Sequence, residues 1–448
     1  MFKIPTLISD NEMLDRAFRI AVGDFSGNVL LWKDGLLDKS LPAIMAGLDY
    51  CKPWTRDASF NTWYAGANLA PEASKNTLLS VLIEKDDNVH IGGQYWDAII
   101  WATGAWEYFV HTGDITFAET AVVAIKNSLK HFETAHYDLS DGLFKGGACF
   151  QDGIAGYPKT FASPEFAYSG IEHLKDLKVK ALSSNCLYYN AYRIVNKFNK
   201  ALSIPKEDYF DIKAEKLKVA INNRFWDKEN NKYHYLLDAD DDKIRQEGLG
   251  YAFAIIFGVA DEEQIEAICK NYYNTEHGIA CVWPQYERYR FKDGDYARHS
   301  GTIWPQVSAA WVEAMSKAGM KNIVHSEIIS LASKAVRDCQ FYEIYHPETG
   351  EPYGGMQELD GEMIEWESCQ RQTWCATGFI NMLYKGLLGM KFTPEGLSLT
   401  PNLLPGMKSL ELKNFAYRDA ILNISVTESG KEVFVDSSST GTINLQIG

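Results

Sequence analysis

Apolar residues recur three and four positions apart along most of the chain, the signature of helices that bury one face. The pattern predicts helices over Asn11–Val22, Ser59–Ala67, Ser74–Ile83, Tyr95–His111, Phe117–His136 and Ser183–Lys200. It continues over Asp211–Trp226, Gly250–Phe257, Glu262–Tyr273, Trp304–Ala318, Ile323–Cys339 and Gln372–Leu388. Short connections such as Gly113–Asp114, where a glycine stop precedes a capping aspartate, alternate with long loops such as Tyr137–Lys180 and Asn274–Ser300. An even run of helical hairpins around one core predicts an all-α (α/α)6 toroid, with the long loops of one rim building a site. The hairpins share no fixed sequence period, which argues against a solenoid.

The periodicity changes near Lys391. Short alternating runs follow at Leu397–Thr400, Ser409–Phe415, Ala420–Thr427, Glu432–Asp436 and Thr442–Ile447, separated by turn residues such as Pro405–Gly406. The expected organisation is a barrel over residues 1–390 and a small β module over 391–448, too small to be very stable alone.

Composition narrows the function. The chain has 448 residues and a net charge of −15, so a polyanionic partner such as nucleic acid is not expected. No apolar run is long enough to span a bilayer, and Met1–Asp10 lacks the basic and apolar pattern of a signal peptide. The eight cysteines contain no CxxC pair and several sit in apolar helical contexts, which suits free thiols in a reducing, cytoplasmic compartment. Aromatic residues reach 13%, which serves either an aromatic core or stacking platforms for sugar rings.

Common cofactor signatures are missing. There is no HExxH, P-loop or GxGxxG, and the ten histidines form no ligand cluster, so neither a metal nor an organic cofactor is expected. Asp238, Asp240 and Asp242 alternate as in an EF-hand, but Lys243 and Leu249 occupy the positions that need Gly and Glu. They read as a solvated acidic loop.

Five segments carry candidate chemistry. In Trp54-Thr55-Arg56-Asp57, Asp57 accepts from sugar hydroxyls, Arg56 donates and Trp54 stacks; alternatively Asp57 caps the following helix. In Gln94-Tyr95-Trp96-Asp97, Asp97 points a carboxylate into the barrel mouth or complements a helix dipole. In the glycine-rich Asp141–Gly153 loop, Asp152 sits where apolar surroundings can raise its pKa, as a general acid needs; the alternative is a plain turn. The acidic loop before Gln372 holds Glu343 and Glu358 among aromatics and glycines, as catalytic or merely solvated side chains. His299-Ser300-Gly301-Thr302-Ile303-Trp304-Pro305 places His299 and Trp304 at a helix entrance, where Pro305 suits the first turn.

These motifs, in this order, resemble those of the (α/α)6-barrel glycosidases: glucoamylases, trehalases, processing α-glucosidases and bacterial amylo-1,6-glucosidases. Trp54–Asp57 is similar to their W-x-R-D segment, Leu187-Tyr188-Tyr189-Asn190-Ala191 to a helix reading LWYNAL, and His299–Pro305 to H-N-G-T-V-W-P. Glu343, Tyr345 and Gly350, followed by Thr373-Trp374, resemble the segment that bears the family's base. An inserted stretch, Tyr353–Cys369, lengthens the gap and contains Glu358, the second candidate. The C-terminal module resembles the β domain that trails rhamnosidases and disaccharide phosphorylases on this barrel.

The resemblance implies exo-acting, inverting hydrolysis of an α-glycosidic bond, α-glucosidic by preference, in an oligosaccharide or glycoside. Asp152 would be the acid and Glu343, or else Glu358, the base. Trp54, Arg56, Asp57, Tyr95, Trp96, Asp97, His299, Trp304 and Trp374 would hold the sugar. A sugar phosphorylase on the same barrel, a sugar epimerase and a non-catalytic sugar-binding barrel are the competing readings.

Overall fold

Among the described helices, three start at a side-chain cap, supplied by Asn11, Asp114 and Asp261. Asn11 accepts from the Leu14 amide at the head of α1 (Glu12–Gly27). Next come α2 (Thr55–Asn61), prolonged by a π-turn at Thr62–Gly66, then α3 (Pro71–Ser80) and α4 (Trp101–Thr112). Gly113, at φ +73°, ends α4, and Asp114 then caps α5 (Ile115–His136) through the Phe117 amide. They are followed by α6 (Leu182–Ala201), α7 (Asp208–Phe225), α8 (Gly248–Phe257) and α9 (Glu262–Asn271), the last opened by an Asp261–Gln264 capping box. The series closes with α10 (Pro305–Lys317), α11 (Lys321–Asp338) and α12 (Thr373–Asn381). The computed structural model describes residues 4–152, 178–239, 244–290, 292–359, 362–427, 432–437 and 445–447.

The even-numbered helices close a ring. Helix α2 packs on α4, α4 on α6, α6 on α8, α8 on α10, α10 on α12, and α12 returns to α2. Of the odd-numbered helices, α1 and α11 brace α12, α3 and α5 brace α4, and α7 lies along α6. This is an α/α toroid. Its axis is filled by aromatic rings, among them Phe60, Trp63, Phe253 and Phe257. Dispersion and area burial across this core hold the ring shut.

Three expectations are corrected. The helix anticipated from Tyr95 begins only at Trp101, after a 3-10 turn at Ala98–Ile100, because Asp97 spends its carboxylate on a neighbouring loop amide. The inserted acidic stretch is not all loop: Met356–Leu359 and Glu362–Glu365 form a hairpin. Asp238 is not merely solvated; it meets the buried Lys180 at 3.1 Å, while Asp240 and Asp242 lie outside the described residues.

Beyond the ring, Thr6–Ser9, Ser409–Tyr417, Ala420–Thr427 and Glu432–Ser437 form an antiparallel sheet in that order. The N-terminal strand had no counterpart in the sequence pattern. Lys391–Thr393, Gly396–Leu399 and Leu445–Ile447 form a second sheet. Phe392 packs on His111 near the end of α4 and Tyr384 meets Phe415 edge-on, so these strands sit against the C-terminal ends of the inner helices. The opposite rim is left to the loops.

Candidate active site

Arg56 stands in the first turn of α2, and its surroundings follow from a glycine. The Thr55 hydroxyl donates to the Gly92 carbonyl at 2.7 Å. A Cβ on Gly93, whose φ is +107°, would meet that hydroxyl oxygen at 2.4 Å, so only glycine lets the loop lie this close. Gln94 then accepts a hydrogen bond from Arg56. The same guanidinium donates to Asp152 Oδ2 at 2.6 Å and lies 3.8 Å from Asp97 Oδ2. Asp97 also accepts from the Phe150 amide at 2.9 Å, which ties the Asp152 loop to the mouth of the ring.

A second pair sits nearby. Arg298 donates to Glu343 Oε2 at 2.9 Å and to the Tyr50 hydroxyl at 3.3 Å. Its guanidinium lies 5.3 Å from the Trp304 ring centre and 5.4 Å from that of Trp366. Gly355, at φ +82°, presses against it; a Cβ there would come within 2.4 Å of Arg298 Cα. The Arg298 amide donates to Met356 O at 3.0 Å, so the inserted hairpin is pinned to the arginine that holds Glu343.

Charge is distributed unevenly over the carboxyls. Burial works to raise Asp152, but Arg56, with His299 and Arg298, outweighs it and holds its pKa below the usual carboxylate value. This corrects the sequence expectation of a raised Asp152: the loop is glycine-rich, yet an arginine reaches into it. Burial raises Glu343, with Arg298 opposing. Burial likewise pushes Asp57 up to about 7 and Asp97 to about 6, both against Arg56. His299 is forced down to about 3, by burial first and then Arg298, and is neutral at ordinary pH.

Asp57 is 3% exposed and lies within α2, whose N-cap is Trp54. It does not cap the helix. It couples electrostatically to Arg56, Glu343, Asp152 and Asp97, but among the described residues no side chain or amide donates a hydrogen bond to it.

The aromatic expectations separate. Trp304, Trp374, His299 and Phe150 pack as one cluster: His299 stacks on Trp304 at 5.0 Å, and Phe150 contacts Trp304 at 5.0 Å and Trp374 at 6.0 Å. Trp54 is 36% exposed at the rim, with Lys52 Nζ 3.7 Å from its ring centre. Trp96 is fully buried and its indole donates to Ala148 O at 3.1 Å, so it braces the loop and offers no stacking face, contrary to expectation. Tyr95 stacks on His136 at 3.8 Å, which occupies one face of its ring. The backbone of Glu358 lies in the hairpin opposite Met363; its side chain is outside the described part.

Arg298, Gln94, Tyr50 and Trp366 escaped the sequence reading. Arg298 had a signal, since it adjoins His299, and Gln94 stood in a flagged segment. Tyr50 and Trp366 had none, because only chain folding brings them to Arg298. Among the described residues, no three His, Cys, Asp or Glu side chains are grouped to hold a metal ion.

Two carboxylates on separate arginines, with a third left unpaired, form an arrangement suited to sugar hydroxyls and acid–base chemistry. Residues 97–359, more than half of the chain, match the model of the mannosylglycerate hydrolase MGH1-like glycoside hydrolase domain. The chain belongs to this family. The matched span of the MGH1-like domain runs from Asp97 through Asp152, Arg298 and Glu343. It supports the barrel glycosidases as a class rather than the glucoamylase or trehalase members that the motifs resemble. No curated protein matches the sequence.

Solved structures share the fold of the MGH1-like chain. A protein described as a sialidase superposes with a TM-score of 0.70 at 14% identity, over 96% of this chain and 40% of its own. The GH78 rhamnosidase of a Bacillus species gives 0.66 at 16% identity, over 99% and 42%. The chain therefore spans about two fifths of those two proteins. The GH63 mannosylglycerate hydrolase of Thermus thermophilus, crystallised with glucose, gives 0.60 at 14% identity, over 82% of this chain and 99% of its own.

Proposed function

We propose that this glycoside hydrolase domain cleaves a terminal α-linked sugar with inversion, Asp152 acting as general acid and Glu343 as general base. The observation that carries the reading is Asp57, a buried carboxyl with no hydrogen-bond donor among the described residues, which couples electrostatically to Arg56, Asp152 and Glu343. A buried carboxyl in that state needs hydrogen-bond partners, and adjacent hydroxyls of a sugar, which both donate and accept, supply them. Arg56, Asp97, His299, Trp304 and Trp374 would complete the floor of the sugar site, with Tyr95 at its side and Trp54 at its entrance.

Arg56 keeps Asp152 ionised in the free protein. A bound sugar expels water and shares the Arg56 donors, so Asp152 is protonated in the complex and can give its proton to the leaving oxygen. Glu343, held by Arg298, takes a proton from water on the opposite face. Inversion requires the two carboxyls to stand roughly 6.5–9.5 Å apart, with room for that water. In the same reading residues 1–390 are the catalytic barrel and 391–448 a β unit that supports it.

The motif resemblance favours a glucosyl unit. The name of the matched family favours an α-mannosyl group on a carboxylated aglycone as a second reading. The test is hydrolysis of α-glucosides, α-mannosides, α-rhamnosides and mannosylglycerate, with the released anomer followed by NMR. Wild type would run beside Asp152→Asn, Glu343→Gln and Glu358→Gln. Release of the inverted anomer, abolished by Asp152→Asn and Glu343→Gln but not Glu358→Gln, is the expected result. Turnover only with phosphate, or turnover indifferent to all three changes, overturns the assignment.

A further inference from the structure

The other end of the ring is not closed. Trp63 of the π-turn after α2, Thr103 to Glu107 of α4, the C-terminal parts of α6, α8 and α10, and the π-turn Met382–Leu387 that continues α12 surround a cavity of about 840 Å³ that also borders Lys391–Glu395. It lies apart from Asp57, Asp152 and Glu343, none of which lines it. Six of its side chains are basic (Arg193, Lys197, Lys200, Lys317, Lys385 and Lys391) and three are acidic. That excess of positive charge is unexpected in a chain of net charge −15.

Three carboxylates face six cations, with Glu107 also acting electrostatically on Lys197 and Glu313 on Lys317. Lys385 lies 3.8 Å from both Glu107 and Glu313, and Lys200 pairs with Glu395 at 3.2 Å. Among the described residues, no carboxylate lies within ion-pair distance of Arg193, Lys197, Lys317 or Lys391. Arg193 donates to Phe257 O at 2.9 Å and Lys317 to the carbonyls of Ile255 and Ile256 at 2.8 Å. These bonds serve the C-terminus of α8, whose dipole favours cations, but carbonyls carry no formal charge. Lys197 Nζ stands 5.4 Å from the Trp106 ring centre, and Trp63, Phe257 and Phe392 add further apolar wall. Cations beside aromatic faces suit a compact oxyanion attached to a body with an apolar face.

We propose that this cavity is a second binding site, distinct from the catalytic one, for a sugar phosphate or a chemically equivalent small oxyanion on a sugar-sized body. The inference does not depend on the proposed hydrolysis. The test is calorimetric titration of the full chain with glucose 6-phosphate, inorganic phosphate and glucose. The titration is repeated on Lys197→Met and on Lys391→Ser, an exposed change that leaves the core alone, with thermal melts to confirm folding. Glucose 6-phosphate is expected to bind saturably and more tightly than phosphate. Each substitution should weaken it by about tenfold, what a charge-assisted hydrogen bond is worth. Asp57→Asn, at the other rim, should leave that binding unchanged. Failure of glucose 6-phosphate to bind, binding indifferent to both lysine changes, or binding lost in Asp57→Asn overturns the proposal. Hydrolysis assays on the same proteins read the catalytic reading separately.

Discussion

Arg56 donates to Asp152 at 2.6 Å while its other terminal nitrogen faces Asp97 at 3.8 Å, so one guanidinium neutralises two carboxylates contributed by different loops. Asp57, its neighbour in sequence, gets no such bond. The pair decides which carboxyl of the cluster is charged before any ligand arrives.

Replacing Arg56 by Met should strand Asp152 and Asp97. Breaking a buried pair in this way costs roughly 3–5 kcal/mol. Asp152 has a lowered folded pKa, so its contribution to stability is present above the ordinary carboxylate value and fades as pH falls through the folded one. Without Arg56 the stranded, buried carboxyls take up protons as pH falls and so escape part of the cost, and urea unfolding should show a larger loss at pH 7 than at pH 4. An equal loss at both would contradict the account.

Asp57 has the opposite sign. Its folded pKa is raised to about 7, so the native state holds a proton that the unfolded chain has released, and stability declines as pH climbs from the unfolded value toward 7. Asp57→Asn should stabilise the fold by on the order of 2–4 kcal/mol above neutrality, discounted for its coupled neighbours. The gain should dwindle toward pH 4, while turnover is lost. Differential scanning calorimetry across that range checks it.

Arg298 lowers the pKa of Glu343 against the effect of burial. In Arg298→Met the carboxyl should be harder to ionise, and the acidic limb of the pH–rate profile should move to higher pH with a reduced kcat. Arg298→Lys should recover part of both. A profile that keeps its acidic limb in place would show that Glu343 is not the base.

Gly355→Ala tests the hairpin that supports Arg298. The residue has φ +82° and a Cβ would lie 2.4 Å from Arg298 Cα. A destabilisation of about 1–3 kcal/mol is expected from the strained backbone alone, with activity falling further because Arg298 must shift. Unchanged melting and kinetics would mean that the loop relaxes freely.

Much of this protein is legible without its structure. The helices follow from apolar periodicity, and the junction between α4 and α5 from Gly113 and Asp114, because caps and stops act within one turn. Arg56, Asp57, Asp97 and His299 were visible as polar residues beside aromatics at helix entrances, Asp152 in a glycine-rich loop and Glu343 in an acidic one, which local sequence records. What their neighbourhood does to them was not visible. Arg56 is separated from Asp152 by 96 positions and Arg298 from Glu343 by 45, and charge states depend on distance in space. Asp152 was therefore expected to be raised and is lowered, and Trp96 was expected to meet a sugar and instead braces a loop. The strand Thr6–Ser9 was missed because its partner lies at the far end of the chain. Local chemistry is written in neighbouring residues; pairing, burial and the charge of a buried acid are decided only when distant segments are brought together.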